Sequence, residues 1–154
     1  MDYYGTYNHK LDSKSRVALP SKFRRLLESG QEANKTVSLD LLAMLSPDND
    51  NISVYTIDDF ELYIKMVFDV VGGYNPRNKQ HVELRMALHA CVVDISIDKA
   101  GRITLPHTFI EKVGIKNDVT IVGNEGHFEI WDKYKFNNKI NNIDLSKLLY
   151  TEIS

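Results

Sequence analysis

The sequence has few of the residues and segments that mark several classes of protein. A single cysteine, Cys91, excludes an internal disulfide and a cysteine-rich zinc site. No run approaches the roughly 18 unbroken apolar residues of a membrane span, and the first residues lack the basic and apolar parts of a signal peptide. We therefore expect a cytoplasmic protein, with Cys91 in the core because its neighbours Ala90, Val92 and Val93 are apolar.

Signatures of catalysis and of metal binding are also missing. There is no phosphate-binding glycine loop, dinucleotide fingerprint or nucleophile elbow. His81 and His89 share a predicted helix but lie eight residues apart, too far for a pair of ligands one turn apart. Residues 48–51 start like a calcium loop but no glycine follows at the sixth position, which favours an exposed turn. We expect no catalytic residue, cofactor, metal or small-molecule substrate.

Charge is distributed unevenly along the chain. With 43% hydrophobic and 26% charged residues, the composition is that of a soluble globular protein, and the formal net charge is −2. Residues 10–25 contain six cations and one acid, a balance of +5, whereas residues 38–71 contain seven acids and one lysine, a balance of −6. The basic segment can therefore face phosphate, and the alternative is a solvated helix face near residues 22–25.

The chain contains an internal repeat. Residues 11–23 read LDSKSRVALPSKF and residues 97–109 read IDKAGRITLPHTF, at an offset of 86. Five positions are identical: Asp12 and Asp98, Arg16 and Arg102, Leu19 and Leu105, Pro20 and Pro106, Phe23 and Phe109. Weaker similarity relates residues 35–37 to 117–119 and residues 52–55 to 128–131. Two copies of one unit therefore fill most of the chain.

Both copies have the same order of local signals. Apolar or β-branched residues resume directly after the Arg, which predicts a hairpin around each Asp and Arg. Gly101 suits a positive φ in the second turn, whereas Ser15 in the first predicts a different or more strained geometry. The prolines then predict short helices over 21–29 and 107–114. Further strands are predicted over 35–42, 52–56, 118–123 and 127–132.

The remaining segments are mostly helical in pattern. Apolar residues at spacings of three and four predict an amphipathic helix over 57–70: Phe60, Ile64, Val67, Phe68 and Val71. Residues 72–76 break it, a second helix follows over 77–89, and a strand over 90–97 leads into the second copy. The tail after residue 132 predicts one or two weaker helices, interrupted around residues 137–142.

These elements predict an α+β fold in four parts. The first unit covers residues 1–56, a helical connector covers 57–89, the second unit covers 90–132, and a helical tail covers 133–154. Short strands and short helices in tandem are typical of this class.

The repeated motif identifies a family. Asp, then Arg four residues later, then Pro four residues after that, occurs twice, starting at Asp12 and at Asp98. In this the sequence resembles the MraZ family, and the resemblance extends to residues 4–9 and to residues 122–132, so that it spans nearly the whole chain. The sequence departs from the family pattern at Ser15, where glycine is usual, and in a longer acidic segment over residues 40–51.

The resemblance implies both a fold and a function. The fold is a pair of AbrB-like swapped-hairpin units forming an intrachain pseudo-dimer, which assembles into ring-like homo-oligomers. The function is that of a transcriptional regulator, not an enzyme, which binds direct repeats in the promoter of the bacterial division and cell-wall gene cluster, usually its own. By this analogy Arg16 and Arg102 are the strongest candidates for contact with double-stranded DNA, in the cytoplasm and at the nucleoid.

The chemistry of arginine fits that implication. Its planar charged fork can hold a phosphate or read guanine O6 and N7 bidentately, and a turn can carry it into a groove. Asp12 and Asp98 can orient the forks, and the alternative is that each Asp and Arg form only a structural bridge. Lysines near the two turns are candidate phosphate contacts: Lys14, Lys10 and Lys99. Three further cations are weaker candidates: Lys22, Arg24 and Arg25.

A different class of function also fits an AbrB-type fold. Antitoxins of the AbrB/MazE type bind both DNA and a protein toxin, but usually have one unit and a disordered tail, whereas this chain has two units and a short tail from about residue 137. The aromatic residues Trp131, Tyr134 and Phe136 favour core and subunit packing over base stacking. The operator sequence, the sign of regulation, the subunit number and the number of turns that contact DNA stay open.

Overall fold

The protein is described by a computed structural model over residues 2–29 and 40–152, and it has the predicted α+β class. The strands are β1 Thr6–Lys10, β2 Arg16–Ala18, β3 Asp40–Leu45, β4 Ile52–Thr56, β5 Val93–Ser96, β6 Arg102–Thr104, β7 Asp118–Asn124 and β8 His127–Asp132. The helices are α1 Ser21–Ser29, α2 Ile57–Asp69, α3 Lys79–Ala90, α4 His107–Val113, α5 Lys133–Asn141 and α6 Leu145–Lys147, followed by a π-helical segment Leu148–Glu152.

Strands of both copies contribute to one antiparallel sheet and pair with each other across the copies. Its six strands run in the order β1-β7-β8-β4-β3-β5. Strand β1 of the first copy therefore pairs with β7 of the second, and β5 of the second copy pairs with β3 of the first. The arms of each predicted hairpin are joined by a tight turn but pair with strands of the other copy. The two copies exchange hairpins within a single chain.

The central ribbon, formed by β2 and β6, joins the two copies a second time. Val17 lies opposite Ile103 in its antiparallel register, and both side chains are buried. The backbone N–H of Leu19 donates to the Gly101 carbonyl and that of Leu105 to the Ser15 carbonyl, each at 2.9 Å. In each copy, the leucine that follows the ribbon strand is therefore bonded to the turn of the other copy.

The matching apolar residues of the repeat form the core. Three matched pairs are buried: Val17 and Ile103, Leu19 and Leu105, Phe23 and Phe109. The rings of Phe23 and Phe128 lie 5.5 Å apart between centroids, and Tyr3 contacts both edge-on. Burial of side chains of this size contributes roughly 1.5–3 kcal/mol each. The same residues that reveal the repeat hold the two copies together.

The connector packs on the sheet through one face of α2. Thr56 accepts the N–H of Asp59 and so begins this helix. Phe60, Ile64 and Phe68 are buried against β3 and β4, as their spacing predicts. Val67 is only half-buried and Val71, which lies beyond the helix, is 62% exposed, so Val71 was wrongly included in the apolar face.

Cys91 is exposed, and the prediction that it lies in the core was wrong. It follows the last residue of α3, and its thiol donates to the Leu88 carbonyl at 3.2 Å. Its neighbours Ala90 and Val93 are exposed as well. An apolar run does not imply burial where a helix ends on the surface.

Two further element predictions need correction. Residues 35–39 of the predicted strand 35–42 lie outside the described residues, and β3 runs from Asp40 to Leu45. The acidic segment 40–51 therefore supplies β3 and the turn after it. The tail is not interrupted at residues 137–141, because α5 continues to Asn141, and the break lies at residues 142–144.

Within the described ranges, no helix combines the length and the apolar character needed to cross a membrane. The same residues contain no group of three or more His, Cys, Asp or Glu side chains placed to hold a metal ion.

Candidate nucleic-acid interface

The first Asp–Arg turn (residues 12–16) is organised by one carboxylate. Asp12 Oδ1 accepts the backbone N–H of Lys14 at 2.9 Å and that of Arg16 at 2.8 Å. Asp12 Oδ2 accepts Arg16 Nε at 2.8 Å. The carboxylate thus shapes the turn and holds the guanidinium, so the bridging and the orienting contacts come from the same group.

The second Asp–Arg turn (residues 98–102) repeats this arrangement. Asp98 Oδ1 accepts the backbone N–H groups of Ala100 and Arg102, both at 2.9 Å. Asp98 Oδ2 accepts Arg102 Nε at 3.0 Å. The matching spacing of Asp and Arg in the repeat therefore produces matching hydrogen bonds.

Both carboxylates are held ionised. The backbone N–H of Arg16 beside Asp12 holds the pKa of that carboxyl below its usual value, and the Arg16 side chain adds to the effect. The backbone N–H of Arg102, with its guanidinium, does the same for the pKa of Asp98. Each turn is therefore built for a charged Asp.

The tips of the two turns share one geometry despite their different residues. Ser15 has φ 61° and Gly101 has φ 79°. Their N–H groups donate to the carbonyls of Asp12 and Asp98 at 3.1 Å and 3.0 Å. Of the two predicted possibilities for Ser15, the more strained one holds, since a side chain in this region costs roughly 1–2 kcal/mol.

The central ribbon brings the two arginines onto one face. Arg16 lies opposite Thr104 and Arg102 opposite Ala18, on the side away from the buried Val17. Arg16 and Arg102 are thus diagonal neighbours on the ribbon, and residues in this relation are roughly 7–8 Å apart. The Arg16 and Arg102 side chains are 27% and 37% exposed.

The aspartates bond one nitrogen of each guanidinium group. Only the Nε atoms of Arg16 and Arg102 are bonded to their aspartates. Within residues 2–29 and 40–152, the Nη atoms of these two arginines have no hydrogen-bond partner. The Nη atoms of each arginine therefore keep their N–H donors, and two parallel donors of this kind are what a bidentate acceptor needs.

The lysines proposed for phosphate contact are exposed but are not symmetric. Lys14 and Lys99 lie in the two Asp–Arg turns, and Lys10 ends β1 opposite Asp118. At the offset of 86, Lys14 matches Ala100 and Lys99 matches Ser13. The positive charge around the two arginines is therefore arranged differently in each copy.

Arg24 makes a contact that the sequence reasoning missed. Its Nη2 donates to the Lys99 carbonyl at 3.0 Å, across a separation of 75 residues, and its Nε donates to Glu28 at 3.1 Å. Lys22 lies over the Tyr4 ring at 6.0 Å, and Arg25 is exposed. Local pattern could place these cations on α1 but could not show that one of them reaches the other copy.

The aromatic residues near the tail do not form one stacking surface. Trp131 is buried, donates to Glu129 at 3.0 Å and contacts the Phe136 ring at 5.4 Å, whereas Tyr134 is 72% exposed. Burial raises the pKa of Glu129, but hydrogen bonds from His127, Asn124 and Trp131 together hold it below its usual value. This cluster orders the β7–β8 hairpin.

Comparison with known proteins gives a consistent result. The family model for the MraZ protein, described as antitoxin-like, matches residues 86–148. The "Transcriptional regulator MraZ" of Mycoplasma capricolum is 32% identical over 134 residues, 87% of this chain and 90% of the relative. The protein of the same name from Lachnoclostridium phytofermentans is 30% identical over 143 residues, 92% of this chain and 90% of the relative.

Proposed function

The chain belongs to the MraZ family of transcriptional regulators, and we propose that it controls transcription by binding double-stranded DNA through the central ribbon and the two Asp–Arg turns. Arg16 and Arg102 enter the groove, and exposed lysines near the turns contact phosphate. The target is a set of direct repeats in the promoter of the division and cell-wall gene cluster, its own promoter included. The protein works in the cytoplasm at the nucleoid, without catalysis.

One observation supports this proposal above the others. The Nε atoms of Arg16 and Arg102 are bonded to Asp12 and Asp98, and the register places both arginines on one side of the ribbon with their side chains partly exposed. A fork held in this way loses little rotamer freedom on binding. Nη1 and Nη2 can then donate side by side to guanine O6 and N7, or to a phosphate.

The use of direct repeats follows from assembly of several subunits. One ribbon offers few contacts, so the affinity of a single subunit for DNA is modest. In a ring-like homo-oligomer, a second subunit meets the neighbouring repeat at high effective concentration, which raises the overall affinity without any new contact. Subunits side by side match repeats in the same orientation, whereas a two-fold dimer matches a palindrome.

The test is DNA binding by arginine variants. Arg16→Ala and Arg102→Ala are titrated with a promoter fragment containing direct repeats, at several salt concentrations. An arginine that reads a base contributes roughly 1–3 kcal/mol, so we expect each variant to lose about that much binding free energy. Arg77→Ala is the matched control, because Arg77 is exposed in the turn before α3 and its removal changes the net charge equally.

Arg16→Lys and Arg102→Lys separate base reading from charge. Lysine keeps the charge but lacks the planar fork of arginine, so a contact with a base edge should be weakened more than a contact with a phosphate. Folding and oligomer size of each variant are checked by circular dichroism and light scattering. Unchanged affinity in both alanine variants would rule out these arginines as the contact, and absence of binding by the wild type would favour an antitoxin-type protein partner.

A further inference from the structure

Helix α1 begins beside the turn of the other copy. The N–H of Leu19 donates to the Gly101 carbonyl at 2.9 Å, and Pro20 and Ser21 then lead into the helix. One turn of helix later, Arg24 lies over the second Asp–Arg turn. There its Nη2 donates to the Lys99 carbonyl at 3.0 Å while Nε is held by Glu28 at 3.1 Å.

The glycine of the second turn fits closely beneath Arg24. A Cβ atom added at Gly101 would lie 2.8 Å from Arg24 Cδ and from Nη1, and 3.0 Å from Cζ. Real carbon atoms do not approach this closely, so a side chain at residue 101 requires Arg24 to move. Gly101 is accordingly buried although it lies at the tip of a turn, whereas Ser15 at the matching tip is half-buried.

Among the described residues, no side chain makes the equivalent contact with the first Asp–Arg turn. At the repeat offset of 86, Arg24 matches Ile110, which is buried and cannot donate a hydrogen bond. Lys99 matches Ser13, and no side chain in the described ranges donates to the Ser13 carbonyl. Both turns are held by their own aspartate and by one backbone hydrogen bond from the other copy, and among the described residues only the second has in addition a side chain, Arg24, that donates to its backbone.

We infer that Arg24 is a positioning residue that latches the backbone of the second Asp–Arg turn, so that the turn carrying Arg102 is more tightly ordered than the turn carrying Arg16. This rests on the proposed function of the two turns. Arg24 acts through the Lys99 carbonyl and does not contact DNA. An ordered turn loses less conformational freedom on binding, so the latch strengthens binding without adding a charge contact.

The first part of the test needs no DNA. Hydrogen exchange is measured at the N–H groups of Ala100, Gly101 and Arg102 in the full-length wild type, Arg24→Ala and Arg25→Ala. Arg25 is the control because it is the exposed neighbour with the same charge. Loss of one hydrogen bond should speed exchange in the second turn roughly two- to tenfold in Arg24→Ala, with no change at residues 14–16 and none in Arg25→Ala. Unchanged exchange in Arg24→Ala would overturn the latch.

The second part measures DNA affinity against salt. Removal of a cation that contacts phosphate lowers the slope of log affinity against log salt by about 0.9. We expect Arg24→Ala to bind several-fold more weakly with the wild-type slope, because the latch makes no phosphate contact. A slope reduced by about 0.9 would instead make Arg24 a direct contact.

A double variant tests the close packing beneath Arg24. Gly101→Ala should weaken binding more in the wild type than in Arg24→Ala, since removal of Arg24 opens the space that the new Cβ needs, and equal effects in both backgrounds would contradict the proposed coupling. If the wild type binds no DNA, the proposed function fails, and the exchange comparison still decides whether the latch exists.

Discussion

The carboxylates of Asp12 and Asp98 each accept three N–H groups, two from the backbone and one from an arginine side chain. A neutral amide in their place would offer one acceptor oxygen and would put an NH₂ group next to a donor. The structural and the orienting interpretation of these residues are therefore compatible, since the atoms that hold the arginine belong to the group that shapes the turn.

The lowered pKa of Asp12 predicts how the turn responds to acid. The folded protein binds this proton less readily than the unfolded chain does. The ionised carboxylate therefore stabilises the fold at pH values above its ordinary pKa of 3.8, and this stabilisation is lost as the pH falls through the lower pKa of the folded state. We expect Asp12→Asn to be less stable than the wild type near neutral pH, with the difference shrinking below about pH 3.8.

Denaturant unfolding at several pH values measures this difference in free energy. Asp48→Asn is the control, because Asp48 is exposed and accepts no hydrogen bond from a described residue, and it should change the stability little near neutral pH. A difference between Asp12→Asn and the wild type that stayed constant into strong acid would mean that the charge of Asp12 does not stabilise the turn.

At the scale of elements, the N-terminal segment is closed onto β7 by a close backbone approach. The N–H of Tyr3 donates to the Glu125 carbonyl at 2.7 Å and that of Gly123 to the Gly5 carbonyl at 2.8 Å. A Cβ at Gly123 would lie 2.5 Å from the Tyr3 carbonyl carbon and from the Tyr4 nitrogen. These are backbone atoms, which cannot turn aside as a flexible side chain can.

Gly123→Ala should therefore destabilise the protein by roughly 1–3 kcal/mol, the cost of overpacking a tight site. The matched control is Gly126→Ala, where an added Cβ has no atom within 4 Å, and thermal unfolding of the two variants provides the comparison. Equal midpoints would show that the segment before β1 contributes little to the fold.

Elements that depend on residues close together in the sequence were predictable, whereas features that depend on tertiary packing were not. Helices α1, α2 and α4 follow from local signals, namely proline before a helix and apolar residues at spacings of three and four. Of the strand predicted over 35–42, residues 40–42 lie in β3, which continues to Leu45, and residues 35–39 lie outside the described residues. The end of α3 and the exposure of Cys91 depend on what packs there, which a short apolar run does not reveal.

At the scale of the whole molecule, the exchanged strands join the two copies into one folding unit. Strands β1 and β5 each lie in a ladder with the other copy, and the central ribbon contains one strand from each. Neither copy can lose its strands without breaking the ladders of the other. The division of the chain at residues 56, 89 and 132 stays a prediction.

Leu19→Ala and Leu105→Ala test this joint stability, since they are matched in the repeat and are 6% and 2% exposed. Each should cost roughly 2–5 kcal/mol and should shift a single unfolding transition. The transition is followed by Trp131 fluorescence, which reports the second copy, and by far-ultraviolet circular dichroism, which reports both. Two transitions, with only one of them shifted by each variant, would show that the copies unfold separately.

Local sequence was sufficient for the repeat, the tight Asp–Arg turns and most helices, because these depend on residues a few positions apart. The family also followed from sequence, since the repeated motif and its flanks span nearly the whole chain. Arg16, Arg102 and the three lysines stay predicted contacts. Tertiary structure decided that the two copies exchange strands, that both arginines share one face of a ribbon, and that Arg24 reaches a carbonyl 75 residues away. Such contacts follow from packing, which has no fixed spacing along a chain.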